Sequence, residues 1–202
     1  MTDDPEAADQ AAIARVRAGD REAYAVLVRR YAAQAHRTAV LVGAGADADD
    51  VVQLAFVKAY RNMDSFRDGA PFRPWLLRIV MNEAKNAARA STRRRLATER
   101  SAVADPSGFS IDPTADPASE TLSKERRAEL LDAVRKLPEP QQRVVLCRYF
   151  LDLDEQETAR VLGWRRGTVK SRLHRALRRL HSWLDEPSAQ DEPSPTREVD
   201  HE

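Results

Sequence analysis

Three acidic segments with few apolar residues divide this chain, and between them the apolar residues recur only at helical spacing. Residues 101–120 contain three prolines, four acids and no base, and such a segment buries too little apolar surface to offset the entropy lost on ordering. Residues 1–12 and 185–202 are acidic as well. Neither of the two intervening blocks shows the alternating polar and apolar residues of a strand. The sequence therefore predicts an all-α fold of two small helical domains.

Composition agrees with two modest helical cores and limits what the chain can be. Of 202 residues, 42% are hydrophobic and only 6% are aromatic, which is too little for one large barrel or sandwich. The single cysteine, Cys147, excludes an internal disulfide. Residues 1–12 lack the basic start of a signal peptide, and no apolar run approaches the roughly 18 residues of a membrane span. We therefore expect a soluble, cytoplasmic protein without a membrane span.

Proline, charge and helix signals predict the boundaries. In chain order they give a disordered acidic tail at 1–12, a first helical domain at 13–95, a flexible linker at 96–120, a second helical domain at 121–184 and a second disordered acidic tail at 185–202. Helices are predicted at about 20–42, 47–63, 71–94, 121–136, 140–151, 154–162 and 166–184. Asp20 is the predicted N-cap of the first of these.

The strongest motif lies at the end of the second domain, where a short helix, a turn at Gly163-Trp164 and a longer helix follow one another. Residues 164–180 hold seven basic residues and no acid, whereas helix 154–162 carries three acids. This order is typical of a helix-turn-helix, whose second helix enters the major groove of DNA. A solvated basic face on a helical hairpin is the structural alternative. The turn and the charge asymmetry together favour DNA binding.

A second basic surface is predicted on the third helix of the first domain. The residues that share this face, at about 100° per residue, are Arg78, Asn82, Lys85 and Arg89. Such a stripe can follow a phosphate backbone, although an ordinary solvent-exposed face has the same pattern. The preceding loop, 64–71, is punctuated by glycine and proline, and its tip residues Arg67 and Asp68 are suited to gripping an unstacked base.

The second helix begins with a cluster of acids. Asp49 and Asp50 lie at its start, where carboxylates favour the positive end of the helix dipole, and Gln53, Lys58 and Arg61 follow. An acidic face beside DNA-binding elements repels phosphate and therefore suits a protein partner. Capping alone also explains the aspartates, so this assignment stays open at the level of the residues.

The sequence contains no recognisable catalytic constellation. Its four histidines form no HExxH motif, and there is neither a phosphate-binding glycine loop nor a nucleophile elbow. The acids of 47–50 lack the glycine and terminal glutamate of a calcium-binding loop. We therefore expect no enzyme activity, no catalytic residue, no metal and no cofactor.

Three segments taken together resemble one known family. They are DADDVVQLAFVKAYRN at 47–62, FRDGAPFRPWLLRIVMNEAKNAAR at 66–89 and LPEPQQRVVLCRYFLDLDEQETARVLGWRRGTVKSRLHRAL at 137–177. Their order and spacing resemble the extracytoplasmic-function (ECF) RNA polymerase sigma factors, the smallest sigma-70-type proteins, which have only the second and fourth conserved sigma regions. The resemblance covers nearly everything except the tails and the linker. It implies that residues 13–95 are sigma region 2 and residues 121–184 are sigma region 4.

The resemblance also implies a role for each surface. The residues matched to the segment that docks on the clamp helices of the largest polymerase subunit are Asp49, Asp50, Gln53, Lys58 and Arg61. Those matched to capture of the −10 promoter element are Arg67, Asp68, Arg78, Asn82, Lys85 and Arg89. Those matched to reading of the −35 duplex are Arg165, Arg166, Thr168, Lys170, Ser171 and Arg175. The polymerase flap and an anti-sigma factor are further partners that the family implies.

Several positions depart from the family pattern. Leu54 and Ala55 stand where many members have an acid followed by threonine, and Asn86 replaces a frequent aspartate. The turn at 164–166 carries Trp-Arg-Arg in place of a milder sequence, which predicts a shifted −35 preference. Glu83 falls near the apolar face of its helix, and the sequence shows no partner for it.

The sequence thus predicts a promoter-specificity factor that binds bacterial core RNA polymerase, reads −35 duplex DNA and helps to melt and hold the −10 strand. One alternative is a stand-alone helix-turn-helix regulator, which needs a dimer interface that the sequence does not show. Another is a recombinase with a C-terminal DNA reader, for which strands and catalytic residues are missing. Because both DNA surfaces depend on polymerase for their spacing, we expect the free chain to bind promoter DNA poorly.

Overall fold

The computed structural model describes residues 5–98 and 121–185, which form two helical bundles. The first bundle contains α1 (Pro5–Arg17), α2 (Arg21–Leu41), α3 (Ala48–Arg61) and α4 (Phe72–Thr98). The second contains α5 (Thr121–Lys136), α6 (Glu139–Val145), α7 (Glu155–Leu162) and α8 (Arg166–Asp185), with a π-helical turn, Leu146–Phe150, after α6. Because the described ranges contain helices and no strand, the predicted all-α fold is confirmed.

The start of α2 shows how local sequence determines a helix end. The Asp20 carboxylate accepts hydrogen bonds from the backbone N–H groups of Glu22 and Ala23, at 2.9 and 3.2 Å. These bonds satisfy two of the donors that a helix start leaves unpaired. A hydrogen bond from Arg15 is the main reason that the pKa of Asp20 lies below its usual value. Asp20 is therefore the N-cap, as predicted.

The core of the first bundle lies where α2, α3 and α4 meet. On α4, Phe72, Leu76 and Val80 are buried, whereas Trp75 and Ile79 are only partly buried at the edge of the core. Phe66, from the loop before α4, adds another aromatic ring to this core. Its ring centroid lies 5.9 Å from that of Phe72 and 4.8 Å from that of Trp75. Such aromatic pairs each add about 0.5–1.5 kcal/mol beyond their buried area. Phe66 thus anchors the loop to the core.

The predicted disordered tail at 1–12 is wrong for its described residues. Helix α1 begins at Pro5 and packs its apolar face against α2. Asp9 on this helix is only 3% exposed and accepts hydrogen bonds from the Tyr31 hydroxyl and the Arg30 guanidinium. Burial raises the pKa of Tyr31 above its usual value, and the bond to Asp9 raises it further, so the hydroxyl remains the donor. Because both partners lie more than twenty residues away in the chain, no local pattern reveals that this acid is paired.

The helices of the second bundle lie where the sequence predicts them. Two predicted boundaries need correction, one in each bundle. Helix α4 runs to Thr98, so the predicted linker at 96–120 begins too early. The helix predicted at 140–151 is a short α-helix that continues as the π-helical turn. Asp185 ends α8, and the rest of the predicted tail at 185–202, like residues 99–120, lies outside the described residues.

Candidate functional site

Helices α7 and α8 form the predicted helix-turn-helix. The Asp154 carboxylate accepts from the backbone N–H of Glu157 at 2.7 Å, while the Glu157 carboxylate accepts from the backbone N–H of Asp154 at 2.9 Å. This reciprocal capping box defines the start of α7. Gly163 ends α7 with φ +68°, a left-handed conformation that glycine adopts without steric cost. Local sequence therefore determines both ends of the short helix.

The N-terminal half of α8 presents its polar side chains to solvent. Lys170, Ser171 and Arg175 are exposed, whereas Val169 and Ala176 are fully buried against the rest of the bundle. Thr168 is half-buried, and its carbonyl oxygen accepts a hydrogen bond of 3.2 Å from the Ser171 hydroxyl. The exposed face is the one that a major groove would meet.

The turn before α8 is held by a stacked cation. The Arg172 guanidinium lies 4.0 Å from the centroid of the Trp164 ring, and that of Arg143 lies 5.8 Å away. Cation–π contacts of this kind are worth about 0.5–2 kcal/mol each. Arg165 and Arg166 remain exposed, and the Nε atom of Arg166 lies 3.4 Å from Oε1 of Glu155. The tryptophan of the turn therefore stabilises the start of α8.

The basic stripe on α4 lies on one face of the helix. Arg78, Asn82 and Arg89 are exposed and Lys85 is partly exposed. The second bundle covers part of this stripe. Lys85 Nζ lies 2.6 Å from Glu139 Oε1, and Arg78 Nη2 lies 3.4 Å from the position that a Cβ would occupy at Gly163. The hydrogen bond from Lys85 holds the pKa of Glu139 below its usual value, with Arg143 and Arg89 contributing.

A groove with a volume of about 1250 Å³ separates the second half of α4 from α5 and α6. Its basic lining residues are Lys85, Arg89, Arg93, Arg135, Lys136 and Arg143, and its acidic lining residues are Asp132 and Glu139. Six bases against two acids give the groove a net charge of +4. The basic stripe of α4 therefore continues into a strongly cationic channel between the bundles.

Arg73 is the contact residue that sequence reasoning missed. It lies in the first turn of α4, where its guanidinium donates to Gln34 Oε1 in the first bundle at 3.1 Å. It also donates to the carbonyl oxygen of Leu151 at 2.7 Å and lies 3.3 Å from Glu157 Oε1. Its partners in the second bundle lie about eighty residues further along the chain, so no local signal points to them.

The loop between α3 and α4 exposes the side chains of Arg67 and Asp68, as predicted for its tip. Asp68 is 87% exposed and yet forms an ion pair with Arg17 of α1. The neighbouring Phe66 is buried, and Gly69 has φ +70°. The structure therefore places the loop tip next to the C-terminal end of α1.

The outer face of α3 combines the predicted acids with apolar side chains. Asp49, Asp50, Gln53 and Arg61 are exposed, and Asp49 Oδ1 lies 3.3 Å from His36 Nε2. The apolar residues exposed on the same helix are Leu54 at 45%, Val57 at 40% and Tyr60 at 40%. Exposed apolar residues grouped on one surface are typical of protein interaction sites. The sequence analysis missed this apolar patch, although the spacing of three residues between 54, 57 and 60 places the three side chains on one side of a helix.

Two further residues of α3 have structural partners. Lys58 Nζ lies 2.7 Å from Glu83 Oε1 of α4, and the Glu83 side chain is only 11% exposed. This pair accounts for Glu83, for which the sequence showed no partner. Ala55 is fully buried, so its departure from the family pattern concerns the core and not the surface.

No helix among residues 5–98 and 121–185 is long and apolar enough to cross a membrane. Within the same residues, no group of three or more histidine, cysteine, aspartate or glutamate side chains is arranged to hold a metal ion.

Comparison with known proteins identifies the family. The Sigma-70 region 2 family matches residues 22–94, and the Sigma-70, region 4 family matches residues 127–180. The ECF RNA polymerase sigma-E factor of Escherichia coli (strain K12) is 37% identical over 174 residues, covering 83% of this chain and 90% of that protein. This chain belongs to the ECF sigma factors of the sigma-70 family. It is a DNA-binding promoter-specificity factor of transcription initiation. The sigma-E factor of Haemophilus influenzae is 34% identical to it over 172 residues.

Solved structures agree with the fold of this sigma factor. CnrH, in a complex with the cytosolic domain of CnrY, is similar with a TM-score of 0.65 and 26% identity, over 90% of this chain and 99% of CnrH. RpoE from Bartonella quintana, in a complex with the anti-sigma factor NepR, has the same fold with a TM-score of 0.61 and 22% identity, over 80% of this chain and 96% of that one. Both similarities extend over region 2 and region 4 together.

Proposed function

We propose that this sigma factor docks on core RNA polymerase through the outer face of α3, reads −35 duplex DNA with α8 and captures the −10 strand with α4 and the loop at 64–71. The proposal places its action in the cytoplasm, and the polymerase supplies all of the catalysis. The observation that carries it is the separation of the surfaces: the two cationic faces lie on different bundles, on α4 and on α8, and the acidic and apolar face lies on a third helix, α3.

The polymerase-binding part of the proposal rests on α3. Asp50 and Gln53 lie beside the exposed Leu54 and Val57, so the patch offers charge for orientation and apolar area for affinity. Arg61 extends this face, and the exposed Asp49 adds a second acid. Lys58 contributes by holding α3 against α4, since its ammonium group is already paired with Glu83.

The DNA-binding part assigns one structure of DNA to each cationic face. On α8, Lys170, Ser171 and Arg175 are exposed where a recognition helix contacts base edges, and Arg165 and Arg166 precede them where phosphates run. On α4, the stripe of Arg78, Asn82, Lys85 and Arg89 is suited to a single strand, because it is cationic and leads into the groove between the bundles.

Polymerase binding has to separate the two bundles. In the structure the two bundles are in contact, an arrangement that we call closed. Lys85 is paired with Glu139 and Arg78 lies against Gly163, so the second bundle covers part of the proposed −10 surface. The free chain therefore binds promoter DNA poorly. In the proposed complex, α3 binds the clamp helices of the polymerase and the flap is a further contact. This docking holds the bundles apart and uncovers both DNA-binding surfaces.

The proposal is tested by transcription in vitro with purified core polymerase on a promoter library randomised at −35 and −10, with start sites mapped. We expect initiation from a defined pair of elements at a fixed spacing. Absence of directed initiation at every promoter would refute the proposal.

Asp50→Arg tests the docking surface. The variant is expected to weaken assembly with core polymerase at least about fivefold, the effect of losing roughly 1 kcal/mol of interface energy. Glu22→Arg is the matched control, because it reverses an exposed acid in the first turn of α2 and so loses the same kind of helix-dipole interaction. Equal assembly of both variants would remove α3 from the interface.

An anti-sigma factor is a further proposed partner. CnrH was solved with the cytosolic domain of CnrY, and RpoE of Bartonella quintana with the anti-sigma factor NepR. A chain of this kind would inhibit the present sigma factor by occupying its polymerase and DNA surfaces. Co-purification with a regulatory chain that blocks assembly with core polymerase would support this partner.

A further inference from the structure

Two side chains of α1 bind the loop that joins α3 to α4. The Gln10 amide nitrogen Nε2 donates a hydrogen bond of 2.7 Å to the carbonyl oxygen of Ala70. Its oxygen Oε1 accepts from the backbone N–H of Gly69 at 3.3 Å. One amide group thus satisfies a donor and an acceptor of the loop backbone, about sixty residues away in the chain.

Arg17 contacts the same loop at three points. Its Nε donates a hydrogen bond of 3.0 Å to the carbonyl oxygen of Met63, and its Nη2 donates to the carbonyl oxygen of Phe66. Its Nη1 donates to the Asp68 carboxylate. The planar guanidinium has its donors in a fixed geometry, so these three bonds orient the loop backbone and the Asp68 side chain relative to each other.

Helix α1 is itself firmly anchored. Ile13 is 2% exposed and Val16 is 7% exposed, and the buried Asp9 is paired with Tyr31 and Arg30 of α2. The region 2 match begins at residue 22, after α1 has ended. The similarity to Sigma-70 region 2 therefore does not include α1 and assigns it no role.

The loop has little else to hold its tip. Phe66 anchors its middle in the aromatic core, and a 3₁₀ turn, Met63–Ser65, begins it. Gly69 lies in the left-handed region at φ +70°, with nothing within 4 Å of the position of a Cβ. Arg67 and Asp68, between these two points, are exposed. Among the described residues, α1 supplies the long-range polar contacts that determine the shape of the tip.

We infer that Gln10 and Arg17 are positioning residues, which hold the loop at 64–71 in the shape that selects the −10 base. The inference rests on the proposed function, because that function gives the loop its −10 role. Arg17 acts through Asp68 and the two carbonyl groups, and Gln10 acts through the backbone at 69–70. Neither residue has to contact DNA.

The test measures −10 and −35 preferences separately, by transcription in vitro with core polymerase on two promoter pools, each randomised in one element. Arg17→Ala is expected to reduce −10 discrimination about fivefold or more, the low end of what one lost base contact costs, with the −35 preference unchanged. Gln10→Ala is expected to act in the same direction. A merely structural role would lower the yield from both pools without changing either preference.

Arg15→Ala is the matched control. Arg15 is also an arginine of α1 and forms an ion pair with Asp20 at 2.6 Å, but it has no bond to the loop. It is expected to leave the −10 preference unchanged. Arg17→Lys is expected to restore part of the discrimination, because a lysine retains the charge next to Asp68 but lacks the geometry for both carbonyl groups.

A double-mutant cycle tests whether Arg17 acts through Asp68. If it does, Asp68→Ala has little further effect on −10 discrimination in the Arg17→Ala background, because the two side chains act as a unit. Fully additive effects would contradict that route. An unchanged −10 preference in Arg17→Ala, at equal holoenzyme assembly, would overturn the inference.

Hydrogen–deuterium exchange in the free full chain separates this inference from the proposed function. Arg17→Ala is expected to increase exchange at the amides of 63–70, and Arg15→Ala is not. Unchanged exchange in Arg17→Ala would overturn the positioning role even if transcription is directed normally. Faster exchange in a chain that never directs transcription would instead refute the proposed function and leave the structural part standing.

Discussion

Arg73 Nη2 donates a hydrogen bond of 2.7 Å to the backbone carbonyl oxygen of Leu151, 78 residues away in the chain. The donor lies in the first turn of α4 and the acceptor lies just before α7. The same guanidinium reaches Glu157, whose other carboxylate oxygen caps α7. One side chain therefore connects the first turn of α4 with the start of the helix-turn-helix.

Arg73→Ala is expected to open the closed arrangement of the two bundles. The substitution removes hydrogen bonds to a charged group, each worth about 1.5–3 kcal/mol, and leaves Lys85–Glu139 as an ion pair that joins the bundles. Small-angle X-ray scattering of the free full chain measures this as a larger radius of gyration. Arg37→Ala, an exposed arginine of α2, is the control. If both variants scatter like the unmodified chain, Arg73 does not hold the bundles together.

Closure is also expected to weaken in acid because of Glu139. Lys85 lowers the pKa of Glu139 in the closed form below its ordinary value of 4.5. A carboxyl with a lowered pKa stabilises the closed form fully above its ordinary pKa, and this contribution is lost as the pH falls through the lowered value. Scattering measured between pH 7 and pH 3 tests this. Glu139→Gln has no charge to lose, so a pH response equal to that of the unmodified chain would exclude Glu139 as its source.

The Lys58–Glu83 ion pair is expected to stabilise the first bundle. Lys58→Ala leaves the carboxylate of Glu83, which is 11% exposed, without its partner. We expect the free energy of unfolding in urea to fall by about 1–2 kcal/mol, since Lys58 itself is 44% exposed and the pair is partly screened. Arg61→Ala on the same helix is the control. The double variant with Glu83→Ala should lose less than the sum of the two single changes.

Lys170→Ala and Arg175→Ala are expected to relax −35 selectivity in the holoenzyme. Each exposed side chain that reaches a base edge contributes about 1–3 kcal/mol of discrimination. Arg178→Ala, which removes an exposed arginine further along α8, is the comparison: we expect it to weaken binding to all sequences equally, as the loss of a charge near the phosphates does, without changing the sequence preference. Binding to a library of −35 duplexes distinguishes the two effects. An unchanged sequence preference would assign Lys170 and Arg175 to the phosphate backbone.

Cys147 is expected to be chemically inert in the folded chain. It is fully buried, and burial raises the pKa of its thiol to about 12. At pH 8 about one thiol in ten thousand is then ionised, and the thiolate is the reactive form. Alkylation by iodoacetamide should therefore be very slow in the native protein and fast in urea. Equal rates in both conditions would show that the thiol is accessible.

Local sequence predicted the elements of this protein well, because the forces that form them act over a few residues. The capping aspartate Asp20 and the Gly163 turn determine helix ends through bonds to adjacent backbone groups. The apolar face of α4 and the basic faces of α4 and α8 follow from helical periodicity alone. The family could be identified from three such segments, since their residue types and their order are properties of the chain.

Contacts between distant residues could not be predicted in this way. Residues 1–12 were predicted to be disordered because they are acidic, and nothing near Asp9 in the sequence shows that its partners lie on α2. Likewise, α4 extends to Thr98, beyond residue 96, where the linker was predicted to begin. The role of Glu83 and the connection through Arg73 depend on which helices become neighbours. The sequence by itself thus determined the helices, their charged faces and the family. Only the tertiary structure decided which polar groups lose water and must find partners, because that depends on how helices far apart in the chain pack against one another.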